Sequence, residues 1–192
     1  MKLANPHRRF FLACLVEISL LGVAVVLGVL CQQPFLATLH WQARDAALGM
    51  AGVVPLLVWF WWTLRSRLRP LAEIRDFLEV VVRPIFGQWS VFQLAAISLL
   101  AGLCEESLFR AAVQGELTGA FGMKAALALA SILFGLCHLV NGAYAVIATF
   151  IGLYLGLLWS FTGNLLTPIV THAVYDFAAL IYFLRVRSGH SD

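Results

Sequence analysis

The chain has 192 residues, of which 61% are hydrophobic and 12% are charged, and its mean hydropathy is +0.89. Soluble domains are about 45–50% apolar and about 25% charged, so the composition excludes an ordinary water-soluble fold and favours an integral membrane protein. The formal net charge is only +3, and the basic residues lie in loops rather than on one face, which argues against nucleic-acid binding.

Apolar runs of about 20 residues, each long enough to cross a bilayer, follow one another along the chain. The first run is longer than the core of a signal peptide and is expected to remain as a helix. The sequence therefore predicts an all-α polytopic bundle of about six transmembrane helices, near residues 10–30, 46–64, 90–117, 123–140, 143–161 and 165–184.

Residues 65–83, between the second and third predicted spans, mix basic and acidic side chains with apolar ones at helical spacing. This pattern predicts an amphipathic connector helix on the membrane surface, ended by Pro84. The connector divides the chain into two parts. Residues 1–88 contain two spans and the connector, and residues 89–192 contain the polar residues described below.

The basic residues also predict the orientation of the chain in the membrane. Six spans place both termini on one side, and that side holds ten basic residues against three elsewhere. The positive-inside rule then predicts a multi-pass protein of the inner membrane with both termini in the cytoplasm. The ten are Lys2, Arg8, Arg9, Arg65, Arg67, Arg69, Arg75, Arg83, Arg185 and Arg187, and the other three are Arg44, Arg110 and Lys124.

Several ionisable side chains stand in or beside the most apolar runs. A charged residue at the centre of a span costs about 2.5–3.5 kcal/mol to insert, so a group of them predicts a polar cavity with a function. A further residue, Glu17, is alone in its run and is expected to be structural or interhelical. The group consists of Glu105, Glu106, Arg110, His138, His172 and Asp176.

The spacing of these residues indicates which of them share a helix face. Glu106 and Arg110 are four residues apart and are expected to pair, while Glu105 is rotated by about 100° and faces elsewhere. On the fourth predicted span Phe134 lies four residues before His138. Counted along the helices from their non-cytoplasmic ends, Glu105 lies at a depth of about 18 Å and His138 at a depth of about 24 Å. The count therefore places the two residues at different depths.

Three segments of the sequence resemble motifs of the CAAX protease and bacteriocin-processing (CPBP) family. Residues 105–110, Glu-Glu-Ser-Leu-Phe-Arg, resemble its EExxxR motif. Residues 134–138 resemble FxxxH, and residues 172–176 resemble HxxxN/D. The similarity covers about residues 90–185 and implies an intramembrane endopeptidase with a peptide or protein substrate.

The resemblance also implies roles for individual residues. Glu105 would be the general base that activates water, and His138 would help to hold that water. His172 and Asp176 would stabilise the oxyanion. Because an aspartate donates a hydrogen bond only when protonated, Asp176 is open to a second interpretation, in which it orients His172.

The remaining motif residues would support the site, with Glu106 and Arg110 as an ion pair and Phe134 as a packing residue. The resemblance implies glutamate chemistry without a metal cofactor, and the sequence contains neither HExxH nor GxSxG. A zinc site formed by Glu105, His138 and His172 stays open as an alternative.

Two other functions fit the same composition. One is a non-enzymatic membrane scaffold or bacteriocin-immunity protein that keeps the fold, and the other is a small transporter that uses the buried carboxylates. No internal inverted repeat, common in transporters, is present. The substrate, whether it is prenylated, and the oligomeric state are left open by the sequence.

Overall fold

The computed structural model describes residues 5–31 and 35–187 of the chain. Within these ranges the chain forms seven helices and no strand, which confirms the predicted all-α fold. The helices are α1 (Pro6–Leu30), α2 (Ala43–Arg65), α3 (Arg69–Phe77, continued by a π-helical turn at Leu78–Val82 and by Arg83–Phe86), α4 (Val91–Phe121, with a π-helical turn at Ser107–Gln114), α5 (Met123–Cys137), α6 (Gly142–Thr162) and α7 (Leu166–Val186).

Five of the described helices, α1, α2, α4, α6 and α7, are long and apolar enough to cross a membrane. The chain is thus a multi-pass membrane protein. Helix α5 is apolar but has only 15 residues, or about 22 Å, which is shorter than a hydrocarbon core of about 30 Å. The orientation of the termini stays a prediction, and Lys2 lies outside the described residues.

The predicted amphipathic connector is present as α3, which buries Leu71 and Ile74. The prediction that Pro84 ends this helix is wrong, because the helix continues through Pro84 to Phe86. The π-helical turn at Leu78–Val82 lies directly before the segment that contains Pro84 and changes the hydrogen-bond spacing there. A residue without a backbone N–H is therefore tolerated at position 84.

Charged side chains fasten α3 to the ends of the transmembrane helices. Arg75 donates to the carbonyl oxygen of Thr63 at 3.1 Å and to that of Ser66 at 2.5 Å. Arg9, on α1, donates to the carbonyl oxygen of Pro84. These bonds hold the apolar side of α3 against the bundle.

The start of α7 is fixed by a buried polar contact with α2. The Asn164 side chain donates to Asp45 Oδ2 at 2.7 Å and to the carbonyl oxygen of His40 at 2.8 Å. Its own oxygen accepts from the backbone N–H of His40 and of Leu166. This network sets the height of α7, and therefore of His172, relative to the other helices.

Small residues allow α5 and α6 to approach closely. A Cβ atom on Gly135 would come within 2.6 Å of the carbonyl oxygen of Ala145 and closer still to Thr149 Oγ1. A Cβ atom on Gly152 would lie 3.2 Å from Phe134. The close contact holds the end of α5, where His138 follows, against the bundle.

We expect Gly135→Ala to destabilise the protein by about 1–3 kcal/mol, because the added methyl group overpacks the contact between α5 and α6. Thermal unfolding in detergent measures the change. Gly22→Ala is the matched control, since a Cβ atom there would have no atom within 4 Å. Equal unfolding temperatures for the two variants would contradict the close contact.

Candidate active site

Glu105 and Glu106 stand at the end of the α-helical part of α4, directly before its π-helical turn. Glu105 is 8% exposed, and Glu106 is completely buried. Arg110 lies within the turn and donates from Nε to Glu106 Oε2 at 2.9 Å. The paired Glu106 and Arg110 lie behind the cavity, while Glu105 lines it, which is the division of roles that the spacing predicts.

His138 directly follows the last residue of α5 and is held by Phe134 in two ways. Its Nδ1 lies 2.8 Å from the carbonyl oxygen of Phe134, and the two rings stack with centroids 4.5 Å apart. Because a carbonyl oxygen only accepts, Nδ1 carries the proton in this contact and Nε2 of the neutral ring is an acceptor. That Nε2 lies 3.7 Å from Glu105 Oε2.

His172 on α7 lies between two carboxyl groups. Its Nδ1 is 2.8 Å from Glu106 Oε1, and its Nε2 is 3.5 Å from Asp176 Oδ2. Glu106 therefore accepts from Arg110 on its own helix and from His172 on another. Asp176 follows His172 by one turn on the same face of α7, and its position favours the interpretation that it orients the ring.

A cavity of about 460 Å³ opens in front of these groups. Glu105, His138, His172 and Asp176 share its wall with the buried face of Phe134. The remaining wall is mostly apolar, and part of it comes from the connector helix α3. A cavity with these properties has the size and the lining of an ordinary ligand site.

The structure thus brings together all seven residues singled out by the three motifs. The expectation that His138 lies deeper than Glu105 is wrong. Helix α4 runs on to Phe121, so Glu105 lies 16 residues from that end of α4, and His138 lies 15 residues from the start of α5 at Met123. The count from the sequence ended the third span at residue 117 and therefore placed Glu105 about 6 Å too close to the non-cytoplasmic side.

The cavity residues that were not assigned to the site from the sequence include Glu17, Tyr144 and Tyr175. A signal for Glu17 exists, since it is an acidic residue in an apolar run. The tyrosines carry no such signal, because tyrosine is common in membrane helices.

The zinc alternative raised by the sequence names Glu105, His138 and His172 as ligands. Within residues 5–31 and 35–187, no group of three or more His, Cys, Asp or Glu side chains is close enough to hold a metal ion. Glu105, His138 and His172 share one cavity but do not form a compact ligand set.

Comparison with known proteins places these motifs in a family. Residues 87–178 match the family model described as type II CAAX prenyl endopeptidase Rce1-like. This part of the chain is similar to that family. The match confirms the resemblance to the CPBP family, and all motif residues lie within the matched segment. The match begins beside the predicted division at residue 88, and that division stays a prediction.

A relative from Bacillus subtilis (strain 168), the uncharacterized protein YpbD, is 31% identical over 115 residues. The aligned part covers 57% of each chain, so the chain spans well under two thirds of the length of that relative. No solved structure matches the chain.

Proposed function

We propose that the protein is an intramembrane endopeptidase that hydrolyses a peptide bond near the membrane, with Glu105 as the general base. The observation that supports this most is the gap of 3.7 Å between Glu105 Oε2 and His138 Nε2. Both atoms are hydrogen-bond acceptors, and Glu105 Oε2 is buried without a donor in the part of the chain that the structure describes. Two acceptors at this separation suit one water molecule that donates a hydrogen to each.

The reaction follows from that water. Glu105 takes one proton from the water while the water oxygen attacks the carbonyl carbon of the peptide. The carbonyl oxygen becomes an oxyanion, and the C–N bond then breaks as Glu105 passes the proton to the leaving nitrogen. The products are a carboxyl group and an amine, so all atoms and protons are accounted for.

The other polar groups stabilise the oxyanion or hold the side chains of the site in position. With Nδ1 donating to Glu106, Nε2 is the ring atom of His172 that is left for the oxyanion, and it donates a hydrogen bond there only when both ring nitrogens carry a proton. Asp176, whose Oδ2 lies 3.5 Å from Nε2, holds the ring in place. Arg110 compensates the buried charge of Glu106. Phe134 fixes His138 by stacking and through its carbonyl oxygen.

We also propose that the substrates are C-terminal tails or small peptides at the inner membrane, and that both termini of the protease face the cytoplasm. The test is proteomics of the membrane and secreted fractions, comparing cells that carry the intact gene with cells that carry Glu105→Ala. A cleavage product lost only with Glu105→Ala supports the proposal. Glu73→Ala, on the exposed face of α3, is the matched control, and identical product sets would contradict hydrolysis by Glu105.

We propose that catalysis needs no metal. We therefore expect the purified protein to keep its cleavage rate after treatment with 1,10-phenanthroline and removal of the chelator, since Glu105 and His138 activate water by themselves. The rate of peptide cleavage is compared before and after treatment. Loss of activity that added Zn²⁺ restores would establish the metal alternative instead.

A further inference from the structure

Glu17 lies on the side of α1 that faces the bundle. Leu20, Ala24 and Leu27 follow it at intervals of three or four residues, and they pack against the π-helical turn of α4 and its neighbours. Cys14, one turn earlier, packs against the cluster around Trp89. Residues at this spacing share one helix face, so the carboxyl group of Glu17 is directed into the protein rather than into lipid.

The carboxyl group of Glu17 reaches the same cavity as the motif residues. Its Oε2 is buried and has no hydrogen-bond partner among the described residues. Glu105, which is nine-tenths buried, has the same kind of unpartnered oxygen in this cavity. Glu17 also interacts electrostatically with His172 and Asp176. A carboxyl group inside a membrane helix is costly without a partner, and here the open side is the cavity.

Carboxyl groups outnumber imidazoles on the cavity wall. Three carboxyl groups, from Glu17, Glu105 and Asp176, share the wall with two imidazoles, from His138 and His172. No Lys or Arg occurs among the described residues that line the cavity, and the nearby Glu106 is already paired with Arg110. A cation that enters the cavity therefore finds carboxyl groups to pair with, whereas a free carboxylate finds only the imidazoles.

We propose that Glu17 is a specificity-determining residue that binds a positively charged side chain, lysine or arginine, of the peptide substrate close to the scissile bond. The proposal rests on the proposed hydrolysis and adds the substrate class. It assigns a role in the site to α1, which lies outside the matched residues 87–178. It also means that the substrate places a basic residue, rather than a free C-terminal carboxylate, in this cavity.

The experiment uses the full-length protein in liposomes, with a mixed peptide library and mass spectrometry of the cleavage sites. We expect the intact protein to cut preferentially beside Lys or Arg. A peptide that is cut well is then made in two forms, with lysine or with norleucine, which has the same stem without the amine. We expect Glu17→Gln to lower the ratio of kcat/KM for the lysine form over the norleucine form by about tenfold, because the amide still accepts a hydrogen bond but no longer carries the negative charge that pairs with the ammonium group.

Two controls separate this proposal from the one on which it rests. Glu73→Gln, the same substitution on the exposed face of α3, is expected to leave the ratio unchanged, and unfolding temperatures show whether Glu17→Gln is folded. Cleavage without a preference for basic residues, or an unchanged ratio in Glu17→Gln, overturns the role of Glu17 alone. Absence of any cleavage that depends on Glu105 overturns both proposals.

Discussion

Glu105→Gln is expected to lower the rate of peptide cleavage by about 10²–10⁴-fold, because the amide keeps the shape of the side chain but cannot accept the proton of the attacking water. The rate is measured with purified protein in liposomes and a cleaved library peptide. Residual cleavage within a few-fold of that of the intact protein would mean that another group activates the water.

The fold is expected to survive this substitution. Glu105 Oε2 has no donor among the described residues, so the amide leaves no partner without a bond, and it removes a buried carboxyl group. Unfolding temperatures of Glu105→Gln and of the intact protein are therefore expected to agree. Glu73→Gln serves as the matched control for both the rate and the unfolding temperature.

Arg110→Met is expected to destabilise the protein by about 3–5 kcal/mol, because it leaves Glu106 buried without its main counter-charge. Both side chains are completely inaccessible to solvent, and their atoms lie 2.9 Å apart. Among the described residues, only His172 would remain to donate to Glu106. Unfolding in detergent, by heat or denaturant, measures the change.

The double variant Glu106→Gln with Arg110→Met tests whether the cost comes from the uncompensated charge. A neutral amide next to an apolar side chain of similar length is expected to recover most of the lost stability, since removing both charges of a buried pair is often nearly neutral. If the double variant is as unstable as Arg110→Met alone, the loss comes from packing and not from charge.

The sequence predicts the helices well because lipid exposure makes them apolar over their whole length. It does not predict the π-helical turns in α3 and α4, because a turn of that kind depends on local contacts rather than on hydrophobic spacing. Pro84 shows the effect: the ordinary rule for proline ends the helix, and the shifted hydrogen bonds of the turn let it continue. The length of α5 was overestimated because residues 138–140 extend the apolar pattern beyond its last hydrogen bond.

Within the candidate site, contacts between residues four apart were predictable from helix geometry alone. The pairs Glu106–Arg110 and His172–Asp176 follow from spacing. Contacts between helices could not be predicted in this way. They include the contact of His172 with Glu106 and that of His138 with Glu105. These depend on the relative heights of α4, α5 and α7, which are set by features such as the bonds of Asn164.

The contribution of α3 to the cavity wall is a similar case. Its amphipathic pattern predicts an apolar face but does not indicate what that face covers. In the structure, Phe77 packs against Tyr144 with ring centroids 4.7 Å apart, and both residues line the cavity. The helix predicted to lie on the membrane surface thus also forms part of the cavity wall.

Single-turnover cleavage in H₂¹⁸O, with enzyme in excess over peptide, tests most directly whether water, rather than the carboxylate of Glu105 itself, attacks the peptide. If a water held between Glu105 and His138 attacks the peptide, nearly every new C-terminal carboxyl group carries one ¹⁸O atom in the first turnover. Unlabelled product in that turnover would show that the oxygen came from a carboxyl group of the protein, and it would contradict the general-base mechanism.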